Sequence, residues 1–213
     1  MAPVAKTYGV NYVLGETNSI SCQGRDNVSN VFGSALWYVN FNLYFASKTV
    51  VDSLYFHSGT PYRYSLWAPF EGASDHSALI RPSYYGALML ATAIGDKGGK
   101  KQVQALVQEE TFVAYALYAH SALDSVVVVN MEPFNATMPG PRPHVDVKLP
   151  DDVHKPGKIM RLTAEGADVK DGVTWAGQTV SEHGEVEGEE VSERYWPGST
   201  VSVPDSEAIL IKF

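Results

Sequence analysis

From Lys100 to Phe213 no stretch of the sequence sustains the three-and-four spacing of apolar residues that an amphipathic helix needs, and this limits the fold more than any other feature. The region instead holds β-rich runs at Val103–Val107, Phe112–Ala119 and Val126–Asn130. Further candidates follow at Val145–Leu149, Lys158–Leu162, Thr200–Val203 and Ala208–Phe213. Turn formers separate them: Leu123-Asp124-Ser125, Pro139-Gly140-Pro141, Lys155-Pro156-Gly157 and Pro197-Gly198. Short strands punctuated this regularly predict an antiparallel sandwich. The acidic stretch Glu182–Glu193 reads as a solvated loop or hairpin tip.

The first half follows another rule. Val10–Leu14 is a short, mostly apolar run stopped by Gly15-Glu16, the pattern of a strand buried on both faces of a parallel sheet. From Val28 the apolar residues Val31, Phe32, Ala35, Leu36, Val39 and Leu43 fall on one helical stripe, with Asp26 or Asn27 available as the cap. Val50–Phe56 reads as a second strand, ended by His57-Ser58-Gly59. Pro82–Ile94 reads as a second helix, with Pro82 suited to its first turn and Gly95 to its end. Strand and helix alternate, which predicts parallel strands with helical crossovers. The glycine-rich, charged segment Asp96–Lys101 is the expected seam, dividing the chain into residues 1–98 and 99–213. Two such βα units cannot close a barrel, since a full eightfold barrel takes about 250 residues.

Composition excludes several functions. Lysine and arginine number 16 against 24 acidic residues, a net charge of −8, so a phosphate backbone is repelled and no nucleic-acid partner is expected. One cysteine, Cys22, rules out an internal disulfide and a multi-cysteine zinc cage, and the thiol is expected to be buried or inert. No apolar run reaches the roughly 18–20 residues of a membrane-spanning helix, and Met1–Val10 lacks the pattern of a secretory signal, so no membrane association is expected. The chain has no Gly-x-Ser-x-Gly elbow, phosphate loop or dinucleotide fingerprint, and its histidines (His57, His76, His120, His144, His154, His183) lack metal-ligand spacing. No cofactor and no metal are expected. Asp168–Gly172 is read as a turn.

Two residues stand out by position. Glu16 ends one strand and His57 follows the other, and in parallel α/β architectures reacting groups gather at the carboxyl ends of strands. A carboxylate there serves as nucleophile or acid/base, or caps a helix or faces solvent as a turn residue. Tyr62, Tyr64 and Trp67 on the loop after His57 suit sugar stacking, and equally suit packing over a sheet end.

Four segments carry a resemblance. Val13–Ser19 (Val-Leu-Gly-Glu-Thr-Asn-Ser) resembles the nucleophile strand of glycoside hydrolase family 79, the β-glucuronidase and heparanase-like enzymes. Leu54–Gly59 resembles the last barrel strand and rim loop of its β-glucuronidase branch. Arg161–Ala164 and Gly172–Gln178 resemble its C-terminal β-sandwich.

The resemblance implies an α+β chain in two parts: the last strands and helices of an incomplete (β/α)8 barrel, then an antiparallel β-sandwich. It implies hydrolysis of β-linked glucuronides with retention, which uses two carboxylates about 5 Å apart. Glu16 is the implied nucleophile and His57 an implied sugar-contacting residue, while Tyr62 with the backbone around Gly59 is implied to meet the uronate carboxylate, a place Tyr64 could take after a small loop shift. The family's acid/base follows an asparagine, and no Asn-Glu dipeptide occurs in the sequence. The chain alone is therefore expected to be inactive, with the remaining barrel portion as partner and an extracellular location by family habit. A non-catalytic carbohydrate-binding or structural β-sandwich with an α/β appendage is the alternative. With its barrel open, residues 4–95 are expected to be the less ordered half.

Overall fold

Phe112–Ala119, Val126–Val129 and Ala208–Ile211 are apolar without alternation, so a sheet built from them has two faces to cover. A computed structural model, which describes residues 2–48, 51–68, 79–95 and 100–213, covers both. Its elements run α1 (Ala2–Thr7), β1 (Val13–Thr17), α2 (Phe32–Lys48), β2 (Ser53–Phe56), β3 (Trp67–Ala68), β4 (Leu79–Ile80) and α3 (Pro82–Ile94). Strands follow: β5 (Lys101–Gln108), β6 (Phe112–Ala119), β7 (Ala122–Asn130), β8 (His144–Lys148), β9 (Gly157–Thr163), β10 (Thr174–Trp175) and β11 (Thr179–Val180). The last four are β12 (Val186–Glu187), β13 (Glu193–Tyr195), β14 (Thr200–Pro204) and β15 (Glu207–Lys212).

Seven of these strands form one antiparallel sheet in the order β10-β9-β15-β7-β6-β5, with β13 also paired to β9. Alternate residues divide between its faces. Val113, Tyr115, Leu117, Val127, Val129, Leu162 and Leu210 meet Phe32, Leu36, Leu43 and Met89 of α2 and α3. Ala114, Val126, Val128, Ile159, Ile209 and Ile211 meet Leu149, Tyr195 and the β14 residues Val201 and Val203 on the other side. Since β14 pairs with β8 as a separate ribbon, this face is sheet on sheet. The arrangement is mostly sheet with few helices, compatible with a β-sandwich. Among the described residues no helix is long and apolar enough to cross a membrane.

Helices α2 and α3 are tied to the sheet by polar contacts as well. Gly95, at φ 75°, donates to Ala91 O and stops α3. The α3 carbonyls then receive ammonium groups from two strands: Lys101 Nζ donates to Ala93 O at 2.6 Å and Lys212 Nζ to Thr92 O at 3.3 Å. Cations there also oppose the negative end of the helix dipole. Trp175 Nε1 donates to Thr92 Oγ1 at 3.2 Å. Tyr115 OH, in the middle of β6, donates to Asn40 Oδ1 of α2 at 2.5 Å.

Several expectations need correction. The first strand is Val13–Thr17 rather than Val10–Leu14, because Tyr12 exchanges two hydrogen bonds with Asp52 just before the parallel pairing starts. It is not buried on both faces: Val13 is 45% exposed, since among the described residues β2 is its one hydrogen-bonded neighbour. Helix α2 starts at Phe32 instead of Val28, and neither Asp26 nor Asn27 caps it. Asn27 has a left-handed φ of 58°, and its N–H goes to Asn30 Oδ1. The first free α2 amides are satisfied from far along the chain, Phe32 N donating to Val169 O and Gly33 N to Ala167 O, each at 2.8 Å.

Leu123-Asp124-Ser125 lies inside β7, not in a turn. The β6–β7 hairpin turns at His120 and Ser121, both at positive φ, and Asp124 is the extra residue where the register shifts. Its carboxylate takes Lys101 Nζ at 2.6 Å. Cys22 is exposed, not buried. Val50, His76 and the seam residues Asp96–Gly99 lie outside the described residues. The acidic stretch is exposed as expected; within it Val186–Glu187 form β12, and its last member, Glu193, opens β13 and pairs with Arg161.

Candidate active site

Strands β1 and β2 are parallel, with Val13 opposite Ser53 and Leu14 opposite Leu54. Carried on without interruption, that register would set Glu16 opposite Phe56 and leave His57 on the other face. An irregularity between Leu14 and Thr17 instead puts Thr17 opposite Phe56. One extra residue on β1 reverses the facing of the residues beyond it, so Glu16 comes onto the side of His57. His57 N then donates to Thr17 O at 3.0 Å, which holds the two strand ends level.

The two side chains meet. His57 Nδ1 lies 3.3 Å from Glu16 Oε1, the carboxylate 73% exposed and the imidazole 40% exposed. The position of His57 is set from several sides. Asn18 Nδ2 donates to its carbonyl at 2.8 Å. Tyr64 OH lies 2.9 Å from the same Nδ1. The Tyr62 ring meets the imidazole edge-on, with centroids 5.3 Å apart.

The loop carrying these aromatics folds back on Gly59. Gly59 N donates to Ser65 Oγ at 3.0 Å, and Ser65 Oγ and Tyr62 N both donate to Gly59 O at 2.8 Å. The Tyr62 ring lies on this backbone so closely that a Cβ on Gly59 would come 2.7 Å from Tyr62 Cε2. A side chain at this position would have to push the Tyr62 ring aside. Arg63 N donates to Gln23 O at 2.8 Å and fastens the loop to the segment after β1. Tyr64 is 6% exposed. Its burial first, and then the neighbouring Tyr62 and Glu16, push its hydroxyl pKa above the ordinary tyrosine value.

Four residues expected from the sequence, Glu16, His57, Gly59 and Tyr62, thus share one end of the β1–β2 pair. The contact of Tyr64 with His57 has no sequence signal, since seven positions and a folded loop separate the two and carry no pattern that would reveal it. Chemically the group offers an accessible carboxylate beside a neutral or cationic imidazole and an aromatic wall. Among the described residues no hydrogen bond or ion pair joins Glu16 to a second carboxyl group. None of the described His, Cys, Asp and Glu side chains gather in threes to hold a metal ion.

Comparison with known proteins bears on this arrangement. Residues 114–210 match the glycosyl hydrolase family 79 C-terminal beta domain. A beta-glucuronidase of Aspergillus niger is 33% identical over 183 residues, covering 80% of this chain and 34% of that protein. One of Neurospora crassa is 32% identical over 198 residues, covering 78% and 35%. The chain therefore spans about a third of the length of these relatives. Among solved structures, a 4-O-α-L-rhamnosyl-β-D-glucuronidase from Fusarium oxysporum superposes with a TM-score of 0.80 at 23% identity, over 100% of this chain and 45% of that one. An α-L-arabinofuranosidase from Thermotoga maritima superposes with a TM-score of 0.60 at 10% identity, over 99% and 44%. At these identities the superpositions establish a shared fold.

Proposed function

Since the chain belongs to glycoside hydrolase family 79 and corresponds to its C-terminal portion, we propose that it carries the nucleophile half of a retaining β-glucuronidase-type active site. In this reading residues 1–98 are the terminal βα units of a (β/α)8 barrel, and residues 99–213 are the β-sandwich domain behind them. One observation carries the reading: Glu16 and His57 leave adjacent parallel strands at their carboxyl ends and come within 3.3 Å. That end of a parallel barrel is where catalytic groups gather.

Glu16 attacks the anomeric carbon of a bound β-glucuronide as the glycosidic C–O bond breaks, and the aglycone leaves with a proton from the general acid of the remaining barrel. Water, giving its proton to that same group, then opens the glycosyl ester and frees the Glu16 carboxylate. His57 and Tyr62 contact the sugar, and Gly59 provides the bare backbone on which the Tyr62 ring rests. Tyr62 suits the uronate contact better than Tyr64, whose hydroxyl already faces His57 and whose ring is buried.

The general acid/base belongs to the remaining barrel, the chain's partner. Strand β1 is largely uncovered and, among the described residues, its sheet has two strands, although parallel sheets normally have both faces covered. A polypeptide of these 213 residues lacks the Asn-Glu pair. Losing general acid–base help costs about 10²–10⁴ in rate, and losing the rest of the barrel removes substrate positioning. We expect such a polypeptide to be inactive by itself, and the complete enzyme to act outside the cell.

The test uses a chromogenic glucuronide and a mechanism-based uronic-acid inactivator, read by absorbance and mass spectrometry. The isolated chain is expected to give neither turnover nor label. Mixed with a polypeptide supplying the remaining βα units of a relative, it is expected to turn over and to take the label on Glu16. Turnover by the isolated chain, or label on another carboxylate, would overturn the reading.

A further inference from the structure

We propose that Tyr64 is a positioning residue, its hydroxyl sharing with the Glu16 carboxylate the single proton of His57 Nδ1 and so holding the imidazole in the Nδ1–H form. This rests on the nucleophile reading and extends it. A neutral imidazole has one N–H and one lone pair, and its neighbours decide which nitrogen carries which. Two oxygens face the same nitrogen: Tyr64 OH at 2.9 Å and Glu16 Oε1 at 3.3 Å. A bare Nδ1 would point its lone pair at a carboxylate oxygen, which is repulsive. A protonated Nδ1 instead makes a charge-assisted bond to that oxygen and meets the phenol oxygen at the shorter distance, a three-centre arrangement.

The surroundings fit this role. The backbone of His57 is fixed at both its N–H and its C=O, so rotation of the ring is the freedom left to it. Tyr64 is buried and its hydroxyl keeps its own proton well above neutral pH, so it remains a neutral partner. With the proton on Nδ1, Nε2 is left as an acceptor for a sugar hydroxyl. When Glu16 becomes an ester its oxygen accepts more weakly. The proton can then pass to Nε2 while Nδ1 accepts from Tyr64, and because Tyr64 faces the same nitrogen in both forms the ring keeps its orientation through both halves of the reaction.

Nitrogen-15 NMR of the imidazole, on the full chain under alkaline conditions where histidine is neutral, tests this. Nδ1 is expected to resonate as the protonated nitrogen and Nε2 as the bare one. Tyr64→Phe keeps the ring and its packing but removes one acceptor, so the Nδ1 proton should move downfield as it passes wholly to Glu16. Glu16→Ala should release Nδ1 to accept from Tyr64 and bring in the Nε2–H form. This exposed position keeps the test decisive if Tyr64→Phe does not fold. A bare Nδ1 in the unsubstituted chain overturns the proposal, as does either variant leaving the resonances unchanged. The spectra read proton position without turnover, so they fail separately from the nucleophile reading, which falls if Glu16 goes unlabelled in the reconstituted enzyme.

Discussion

Gly86 of α3 lies against the main chain of Ala35 in α2, so close that a methyl group on Gly86 would sit 2.7 Å from the Ala35 carbonyl oxygen. The helices cross there, and Ser34 Oγ and Ser83 Oγ hydrogen-bond at 2.8 Å beside the contact. Replacing glycine by alanine in a helix gains about 1 kcal/mol of propensity. Overpacking a tight contact costs about 1–3 kcal/mol, and the neighbour here is backbone, which cannot turn aside. Gly86→Ala should therefore lower stability in a denaturant titration, and an unchanged or raised midpoint would show that the helices can part.

The joint between the α2 entry and the sheet lobe contains a titratable pair. Asp26 receives Lys170 Nζ at 2.8 Å and Asn30 Nδ2 at 2.8 Å, which hold its carboxyl at about 2. A depressed folded-state pKa stabilises the fold in full above the unfolded value, about 3.9, and the contribution fades as pH falls toward about 2. Asp26→Asn should flatten the loss of stability between these limits and leave its slope near neutrality alone. Midpoints measured across acid pH check it.

Arg161 joins strands from three directions. It pairs with Glu193 of β13, donates from Nη1 to Glu207 Oε1 of β15 at 2.5 Å, and reaches Ser202 O of β14 at 3.1 Å. The guanidinium holds Glu193 below the ordinary glutamate value, so its contribution also fades in acid. Glu207 is buried and Glu193 half-exposed. Arg161→Ala leaves the buried Glu207 carboxylate with the Thr163 hydroxyl as its side-chain hydrogen bond among the described residues and the Arg142 charge nearby, a change that costs at most about 3–5 kcal/mol. Glu193→Ala removes a surface pair worth at most about 1 kcal/mol. Equal losses in chemical denaturation would refute this ordering.

Met89 of α3 is 0% exposed within the core shared by the helices and the sheet. Met89→Ala should cost about 2–5 kcal/mol. Because the cavity opens between helix and sheet, tryptophan fluorescence, in a background that keeps Trp37 alone of the four tryptophans, and the far-ultraviolet sheet signal should shift together. Separate transitions would show that the first half is the less ordered one in spite of this core.

Glu16→Gln removes the proposed nucleophile from a side chain that is 73% exposed. Stability should change by no more than about 0.5 kcal/mol, while labelling and turnover in the reconstituted enzyme disappear. A large stability loss would recast Glu16 as a structural residue.

Much of the site is legible as position along the chain. Glu16 and His57 each follow an apolar run, and that suffices to set them at strand ends. Their approach is not legible, because it depends on one extra residue in β1 that brings Glu16 onto the side of His57. Residue type alone lets Tyr64 stand in for Tyr62, and its place against Nδ1 comes from a loop folded over Gly59. Asp124 misleads for a related reason. Its residue type suits a turn, but the hairpin turns at His120-Ser121 and Asp124 serves as a bulge with a lysine partner.

Helix α3 shows what the sequence determined by itself: Pro82 at its start and Gly95 at its stop are local signals, and its bounds are those the sequence predicts. The apolar runs of β6, β7 and β15 likewise are written in their own composition. Helix α2 shows what the tertiary structure decided. Its first two amides find their acceptors at Val169 and Ala167, more than a hundred residues away, and the chain starts the helix where those carbonyls are. Periodicity and caps act within a turn or two and are written in neighbouring residues. Hydrogen-bond acceptors brought from distant segments, and registers shifted by a single residue, exist only once the chain has closed on itself.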